Sequence, residues 1–374
     1  MVFQSEALVA HGPFSEGKWA LEQVTLRDLR PDEVLVEMVA SGICHTDLHC
    51  GNTGAEKQVP GVYYPRVLGH EGSGYVVDIG SAITHVARGD PVLLSYSYCG
   101  QCYVCMTGPR SHCINFFDIN FIGEPVFDGG IGGRFFGQSS FARHSIVSSK
   151  SIVNVKEFDL CRDDLKILAP LGCGLQTGSG TVINVAQAGP SDCIAVAGLG
   201  GVGLAAVIAA KSSNCKAIIG IDRVESRLAL AKSLGATHVV NTAGREMGEV
   251  VQLIKEATGG LGTTISIDTT AFPALVAAQL EATRYMGKVI QVGTGMPDAS
   301  LSIHLQSFMV SGKQYFGAVQ GHARTEDYIP QMIQWWKGGT FPVERLVKHF
   351  SHKDFAKAIH AMETGETIKP IIVW

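Results

Sequence analysis

The amino-acid sequence predicts an α/β protein in which a mostly β or mixed domain precedes a doubly wound parallel sheet. Up to about residue 150, short strand-like runs are broken by glycine, which is typical of an all-β or mixed domain. From about residue 176, strand-like and helical runs alternate, and this alternation indicates βαβ units with a parallel sheet. A glycine cluster, GLGGVG at residues 198–203, stands between a predicted strand and a predicted helix.

The predicted elements divide the chain into three segments. We expect a first domain over residues 1–175, the parallel-sheet domain over 176–319, and a return of residues 320–374 to the first domain. The return ends in a strand over 371–374, and the first domain has strands over 33–39, 74–79 and 89–95. In the second domain we expect strands over 194–197, 217–221, 265–268 and 288–292, and helices over 202–211, 226–234, 247–257 and 274–284.

Composition excludes several classes of protein. The chain has 374 residues, and 30 Lys+Arg against 34 Asp+Glu give a net charge of −4, which offers no bulk attraction for nucleic acid or an anionic membrane. Residues 193–210 carry no charge, but glycines interrupt them, so a strand, a turn and a helix are favoured over a membrane span. The N-terminal residues lack a basic opening and include Glu6, so we expect a cytoplasmic protein.

The glycine cluster has the context of a dinucleotide-binding motif. Gly198 allows a tight turn, Gly200 lets the backbone approach a pyrophosphate, and Gly203 permits close helix–strand packing. Asp222 ends the next predicted strand, where its carboxylate would accept the ribose hydroxyls and repel a 2′-phosphate. The sequence therefore predicts NAD as coenzyme, although the neighbouring Arg223 could meet a phosphate. Gly201 and Val202, which open the helix, complete this predicted site.

Four cysteines in the first domain predict a structural zinc site. They follow the pattern C-x2-C-x2-C-x7-C, and four thiolates close a tetrahedral shell that leaves no open position. A nucleic-acid zinc finger is disfavoured because Arg110 is the only strongly basic residue of this lobe. The cysteines are Cys99, Cys102, Cys105 and Cys113.

A second set of candidate ligands is dispersed along the chain. Cys44, His70 and Cys173 each lie beside glycines, and two cysteines with one histidine would leave the open position of a catalytic zinc site. Asp47 and Glu71 are polar neighbours that could orient or tune these ligands. Spacing alone leaves open whether the three residues bind metal or are packed in the interior.

These motifs, in their order, resemble the zinc-dependent medium-chain alcohol dehydrogenases over essentially the whole chain. The matching segments are GICHTD, GHEG, the four-cysteine lobe, PLGCGxxTG and GLGGVG. FFGQSSFARH at 135–144, LGCGLQTGSGTVIN and the C-terminal IKPII are most similar to the aryl-alcohol (benzyl-alcohol) dehydrogenase branch. The resemblance implies a GroES-like, mostly β catalytic domain and a Rossmann coenzyme domain.

The resemblance also implies two zinc ions per chain, NAD, and a role for each matching residue. Cys44, His70 and Cys173 would bind the catalytic zinc, with Asp47 and Glu71 behind them. Thr46 would hydrogen-bond the substrate oxygen, and His49 would end a proton relay. The implied coenzyme contacts are His45 and Lys369 at the pyrophosphate, Arg227 near the adenosine ribose, the backbone of Val292, Thr294 and Ala318 at the nicotinamide amide, and Thr177 and Val202 at its ring.

The resulting hypothesis is an NAD-dependent dehydrogenase of primary, aromatic alcohols that also reduces the aldehydes. The alternatives are a biosynthetic reductase acting on a carbonyl, iminium or activated alkene, and a non-catalytic zinc and nucleotide-binding protein, which the complete ligand set disfavours. We expect a homodimer or homotetramer associating through SLSIHL at 300–305, and a small-molecule alcohol or aldehyde as substrate. The loop 50–64 varies among relatives, and candidates for the pocket wall are Tyr96, Phe135, Phe136 and Val319.

Overall fold

A computed structural model describes residues 3–52, 63–295 and 298–374 of the chain. The described residues fall into two compact units, Met1–Cys173 with Arg324–Trp374, and Gly174–Ala323. Most of the loop 50–64 lies outside the described residues. Within the part of the chain that is described, no helix has the length and apolar character needed to cross a membrane.

Among its described residues, the first unit begins with ten strands and three short α-helices. The strands pair mainly antiparallel. Their backbone hydrogen bonds hold the loops that carry the candidate metal ligands. The strands are β1 Phe3–Ala10, β2 Trp19–Leu26, β3 Glu33–Gly42, β4 Arg66–Val67, β5 Gly72–Ile79, β6 Pro91–Leu94, β7 Glu124–Pro125, β8 Gly132–Gly133, β9 His144–Ser148 and β10 Ile152–Asn154. The helices are α1 His45–Gly51, α2 Tyr103–Thr107 and α3 Arg162–Leu168.

The second unit alternates strands with helices, as the sequence predicts. Two of its central strands are buried along their whole length, which is typical of a parallel sheet covered on both faces. The strands are β11 Cys193–Ala197, β12 Ala217–Asp222, β13 His238–Asn241, β14 Thr263–Asp268, β15 Thr283–Gln291 and β16 Gln314–Gly317. The helices are α4 Gly174–Gly180, α5 Gly201–Ser212, α6 Glu225–Leu234, α7 Met247–Glu256, α8 Pro273–Ala282 and α9 Leu305–Ser311.

Residues after 323 complete the first unit. They form α10 Thr325–Lys337, β17 Val347–Ser351, α11 Phe355–Glu363 and β18 Lys369–Val373. One sheet of the unit has the order β2-β1-β4-β8-β7. The other has the order β10-β6-β5-β3-β18-β17, with β9 also paired to β3. The last strand of the chain therefore lies inside a sheet built mainly from N-terminal strands.

The sheet of the second unit has the order β13-β12-β11-β14-β15-β16, and every pairing in it is parallel. This is the order of a doubly wound dinucleotide-binding sheet, in which the topology switches between β11 and β14. The predicted parallel sheet is confirmed. Two short edge strands, β13 and β16, were not predicted, because four partly exposed residues give no clear alternation.

The boundary between α8 and β15 differs from the prediction. The helix ends at Ala282 and the strand begins at Thr283, whereas the sequence predicts a helix to 284 and a strand from 288. Residues 284–286 are exposed, so they lack the apolar periodicity that identifies a buried strand. A register shift between Thr263 and Ile265 of β14 accommodates this extension of β15.

A network of ion pairs around the buried Glu33 connects three segments of the first unit. The Glu33 carboxylate, fully buried at the start of β3, pairs with Arg27 at 2.7 Å and Arg134 at 3.1 Å. Glu124 pairs with Arg30 at 2.7 Å and with Arg134 at 2.5 Å. Burial alone would raise the pKa of Glu33, but hydrogen bonds from Arg27 and the Arg30 backbone hold it below its usual value.

We expect Glu33→Gln to destabilise the protein most at neutral pH. Because the pKa of Glu33 is lowered by folding, its stabilising contribution is present above the unfolded pKa of about 4.3 and is lost as pH falls through the folded value. Breaking a buried ion pair costs about 3–5 kcal/mol. Because the arginines are partly exposed, we expect Glu33→Gln to lower the free energy of unfolding at pH 7 by less than that. Urea unfolding at several pH values measures it, with the exposed Glu157→Gln as control. A deficit that does not shrink in acid would contradict the assignment.

Candidate active site

The four predicted cysteines of the lobe come together around one point. Their sulfur atoms all lie within 4.8 Å of one another, with Cys99 to Cys105 at 3.9 Å and Cys102 to Cys113 at 4.0 Å. A zinc–sulfur bond of 2.3 Å requires tetrahedral S–S edges of about 3.8 Å. The donor set and its spacing therefore fit a zinc ion with a closed shell.

Backbone N–H groups favour the thiolate state of two of these cysteines, Cys99 and Cys102. Cys102 N–H donates to Cys99 Sγ at 3.3 Å, and Cys105 N–H donates to Cys102 Sγ at 3.4 Å, where Cys102 begins α2. Donors from the Gln101 and Cys102 backbone lower the pKa of Cys99 to about 6. The thiolate is the form that binds metal, so the backbone favours the ligating state at Cys99 and Cys102. Burial raises the pKa of Cys105 and Cys113, and a bound dication would be needed to favour their thiolates.

The dispersed residues Cys44, His70 and Cys173 also meet, together with Glu71. One ligand atom from each of the four lies within 4.8 Å of all the others. Cys44 precedes α1, His70 and Glu71 precede β5, and Cys173 lies between the helical turn Ala169–Gly172 and α4. Two thiols and an imidazole are the donors that zinc prefers. His70 Nε2 is buried and makes no hydrogen bond to any described residue, which fits a nitrogen reserved for a metal.

The two thiols of this cluster influence each other's protonation. A hydrogen bond from the Cys173 thiol, assisted by the positive charge of Lys369, holds the pKa of Cys44 well below its usual value. The Cys44 thiolate in turn raises the pKa of Cys173. One thiolate is therefore stabilised before any metal arrives, and a dication would favour the second.

Asp47 lies behind the cluster and contacts two of its segments. Its carboxylate accepts hydrogen bonds from Cys44 N–H at 2.8 Å, Gly69 N–H at 3.1 Å and His70 Nδ1 at 2.9 Å. The first of these caps α1, and the last fixes Nδ1 of His70 as the protonated nitrogen. The free electron pair of the ring then lies on Nε2, as ligation requires.

Lys369 lies on the same cluster. Its ammonium is buried and donates to Glu71 Oε1 at 2.9 Å and to Ile43 O at 3.2 Å. Burial disfavours the ammonium, but the charges of Glu71 and Cys44 raise the pKa of Lys369 above its usual value. Glu71 is thus a member of the ligand cluster, and Lys369 neutralises it. The contact of Lys369 with a coenzyme pyrophosphate stays a prediction.

Gln138 and Ser95 hold the ligand loops together, and sequence reasoning missed both. Gln138 Nε2 donates to His70 O at 2.9 Å and to Ser95 O at 3.0 Å, while its Oε1 accepts from Gly72 N–H at 3.0 Å. Ser95 Oγ donates to Gly172 O at 2.6 Å, directly before Cys173. A buried glutamine and a buried serine carry no ligand signature. Only the position of Gln138 in FFGQSS could have drawn attention to it, and no sequence signal marks Ser95.

Two phenylalanines form an aromatic wall against His70. The Phe136 ring stacks on the imidazole at 4.4 Å and 24°, and Phe135 meets it edge-on at 5.5 Å. Phe136 has φ 52° and Arg134 has φ 59°, and residues other than glycine rarely adopt such values. The ion pairs of Arg134 and the Gln138 contacts hold this strained turn in place. Further rings that extend the wall are Phe116, Phe121 and Tyr96.

Helix α1 carries the predicted relay residues. Thr46 Oγ1 lies 3.7 Å from Cys44 Sγ, so its hydroxyl is at the edge of the cluster. His45 is exposed and His49 is half-buried on the same short helix. The structure thus places Thr46 beside the cluster and both histidines with access to solvent.

The glycine cluster of the second unit forms the turn from β11 into α5. Gly198 has φ 84°, and a Cβ on Gly203 would lie 1.8 Å from Gly198 O, so neither position accepts a side chain. A Cβ on Gly200 would meet nothing within 4 Å, which leaves open space at the N-terminus of α5. Gly201 and Val202 form the first turn of that helix. This cradle fits a pyrophosphate on exposed backbone N–H groups.

The acidic residue predicted to select the coenzyme ends β12. The Asp222 carboxylate accepts from Leu199 N–H at 2.7 Å and from Val224 N–H at 2.9 Å. Arg227 lies 3.9 Å from the same carboxylate, and Arg223 is exposed. These backbone bonds fix a negative charge beside the glycine turn.

The backbone predicted to face a nicotinamide lies at the carboxyl ends of β15 and β16. Val292 N–H donates to Asp268 O at 2.8 Å, and Ala318 N–H donates to Gln291 O at 2.9 Å. Thr294 is exposed, and Thr177 is buried in α4. Carboxyl ends beside the topological switch are where doubly wound sheets bind their ligands.

The chain is similar to known dehydrogenases along its full length. Residues 30–157 match the alcohol dehydrogenase GroES-like domain, and residues 201–337 match the zinc-binding dehydrogenase domain. A geraniol dehydrogenase of Castellaniella defragrans is 37% identical over 96% of this chain and 95% of its own length. An S-(hydroxymethyl)glutathione dehydrogenase of Paracoccus denitrificans is 30% identical, over 94% of this chain and 95% of its own.

A solved structure repeats the same architecture. The benzyl alcohol dehydrogenase of Acinetobacter calcoaceticus superposes with a TM-score of 0.90 and 36% identity, covering 99% of both chains. The predicted GroES-like domain is therefore confirmed beside the parallel sheet. With its two cysteine-containing clusters and its dinucleotide-type sheet, the chain belongs to the zinc-dependent medium-chain alcohol dehydrogenases.

Proposed function

We propose that this alcohol dehydrogenase oxidises primary aromatic alcohols with NAD and reduces the corresponding aldehydes with NADH. The observation that carries the proposal is the buried cluster of Cys44, His70 and Cys173 lying against the Phe135–Phe136 wall. The cluster supports alcohol chemistry, and the wall supports a flat, unsaturated substrate. The names of the relatives, geraniol and benzyl alcohol dehydrogenase, describe unsaturated primary alcohols and agree with this choice.

We propose two zinc ions per chain, one in each cluster. Cys99, Cys102, Cys105 and Cys113 would hold a structural ion, while Cys44, His70 and Cys173 would hold the catalytic one with Glu71 alongside. A zinc ion bound there supplies a Lewis acid that favours the deprotonated form of an alcohol. Asp47 keeps His70 in the ligating tautomer, and Lys369 balances the charge of Glu71.

The proton of the alcohol requires a route away from the buried cluster. Thr46 carries a hydroxyl that can both accept and donate, and it lies next to Cys44. His49, half-buried on the same helix, can exchange a proton with solvent. We therefore assign Thr46 to the substrate oxygen and His49 to the outer end of the relay.

NAD is the proposed coenzyme because of the charge at Asp222. The open space at Gly200 would take the pyrophosphate, and the fixed carboxylate would accept ribose hydroxyls and repel a 2′-phosphate. The bound coenzyme supplies the hydride acceptor, while Thr177 and the backbone at Val292 and Ala318 orient its nicotinamide.

We propose that two copies of the chain associate through the outer edge of the second unit. Leu305, Met309 and Val310 on α9 are largely exposed, and β16 is the adjoining edge strand. Exposed apolar residues beside an open strand edge are typical of an interface. The arrangement supports the expected homodimer or homotetramer.

The substrate proposal predicts that Phe136→Leu impairs aromatic substrates selectively. Loss of the ring face next to His70 should lower kcat/KM for benzyl alcohol by about tenfold, in the range for a poorly filled apolar pocket. Ethanol is too short to extend along the aromatic wall, so kcat/KM for ethanol should fall much less. Phe117→Leu is the matched control, because that ring stacks on Phe121 at the exposed end of the aromatic group. Wild-type preference for ethanol over benzyl alcohol would contradict the proposal.

The two metal sites should respond differently to loss of one sulfur. Cys102→Ser should lower stability, because the closed lobe is held by its metal. Cys44→Ser should abolish activity and leave a folded protein that still binds NAD. Metal analysis and thermal melting of both variants test this assignment. Fully active wild-type protein with one zinc per chain would be incompatible with it.

Coenzyme choice should depend on the charge of Asp222. Asp222→Asn keeps an acceptor for Leu199 N–H while removing the charge, and Asp222→Gly removes both. Each should raise KM for NAD and increase activity with NADP, shifting the kcat/KM ratio by about tenfold or more, since like-charge repulsion is lost. Steady-state kinetics with both coenzymes measure the ratio. A wild-type enzyme that prefers NADP would refute the role of Asp222.

A further inference from the structure

Three consecutive residues of the second unit have left-handed backbone. Gln320, Gly321 and His322 have φ values of 53°, 59° and 51°. A left-handed conformation costs about 1–2 kcal/mol for a residue with a side chain. Such strain persists only where the surroundings over-determine the conformation, and it concentrates at functional sites. Contacts with α4 and with the residues that follow it hold this turn.

A pair of glutamines holds the turn from the side-chain end. Gln320 is buried, and its Oε1 accepts a hydrogen bond from Gln176 Nε2 at 2.7 Å. The same oxygen lies 3.4 Å from the hydroxyl of Thr177, the next residue of α4. Both donors are on one helix, and both meet a single acceptor atom of the turn.

The backbone of the turn is packed just as closely on the same helical region. A Cβ on Gly321 would lie 2.6 Å from Gln176 O and 2.7 Å from Gly180 Cα, so only glycine fits. Asn184 Nδ2 donates to Gly321 O at 3.0 Å. The turn is thereby fixed to α4 and to the helical turn that follows it, Thr181–Ala186.

The glutamine pair connects two elements assigned to the nicotinamide. Thr177, next to Gln176, is assigned to the ring, and Ala318, two residues before Gln320, is assigned to the amide group. Ala318 is itself fixed to β15 through its N–H on Gln291 O. The contact between Gln176 and Gln320, together with the packing of Gly321 on α4, therefore fixes the distance from Thr177 to Ala318.

We propose that Gln176 and Gln320 are positioning residues that hold the ring-packing and amide-binding elements of the nicotinamide site at a fixed separation. The proposal rests on the proposed function, because it assumes a nicotinamide coenzyme in this unit. Neither glutamine needs to touch the coenzyme with its side chain. Their effect is on the orientation of the ring, and a misplacement of about 1 Å can cost roughly 100-fold in rate.

The test compares ligands with and without a nicotinamide. Gln176→Leu and Gln320→Leu are prepared singly and together, and binding of NADH and of ADP-ribose is titrated by fluorescence and calorimetry. We expect each single variant to weaken NADH binding and lower kcat by about tenfold or more, and to leave ADP-ribose affinity within about twofold. The double variant should be no worse than Gln320→Leu alone, because that single change already removes the acceptor of the contact with Gln176. The two singles are independent tests should one fold poorly.

Gln279→Leu is the matched control. Gln279 is a buried glutamine of the same unit whose Nε2 donates to Ile267 O at 3.2 Å, so its loss tests general destabilisation. It should lower the melting temperature and leave both ligand affinities unchanged. NADH binding that is unaltered in the Gln176 and Gln320 variants, or weakened equally with ADP-ribose, would overturn the proposal. Failure of wild type to bind either ligand would instead overturn the proposed coenzyme.

Discussion

The carboxylate of Asp47 is the interaction on which the metal-binding arrangement depends. It is fully buried, and an ion removed from water is tolerated only when donors surround it. The three donors come from Cys44, Gly69 and His70, so satisfying one charge also brings two ligand-bearing segments together. Removing this acceptor would leave the imidazole tautomer and the start of α1 unspecified.

How much of this site can be predicted from the sequence depends on the local chemistry of its residues. The four-cysteine lobe can be predicted because its ligands lie within fifteen residues of one another. The parallel sheet can be predicted because strand-like and helical runs alternate along the chain. Asp47 could be suspected from its neighbour Cys44. Gln138, Ser95 and Gln320 could not, because their partners are distant in sequence and are mostly backbone atoms that any polar side chain could serve.

Both units place strained backbone next to residues assigned to chemistry. In the first unit Arg134 and Phe136 are left-handed, and Phe136 carries the ring that stacks on His70. In the second, the turn at Gln320 follows Ala318. Each turn is held by polar contacts from outside itself, an ion-pair network in one case and a glutamine pair in the other. Strain costs about 1–2 kcal/mol per residue, so these contacts stabilise an orientation that the local sequence alone would not adopt.

The position of β18 also determines the order in which the protein can be completed during synthesis. The second unit is continuous in sequence and can fold on the ribosome once residue 323 has emerged. The first unit began earlier, yet β3 meets its neighbour β18 only after residues 369–373 have emerged. Lys369 can reach Glu71 only at that stage, so the ammonium that balances the charge of the ligand cluster becomes available after the whole second unit has emerged.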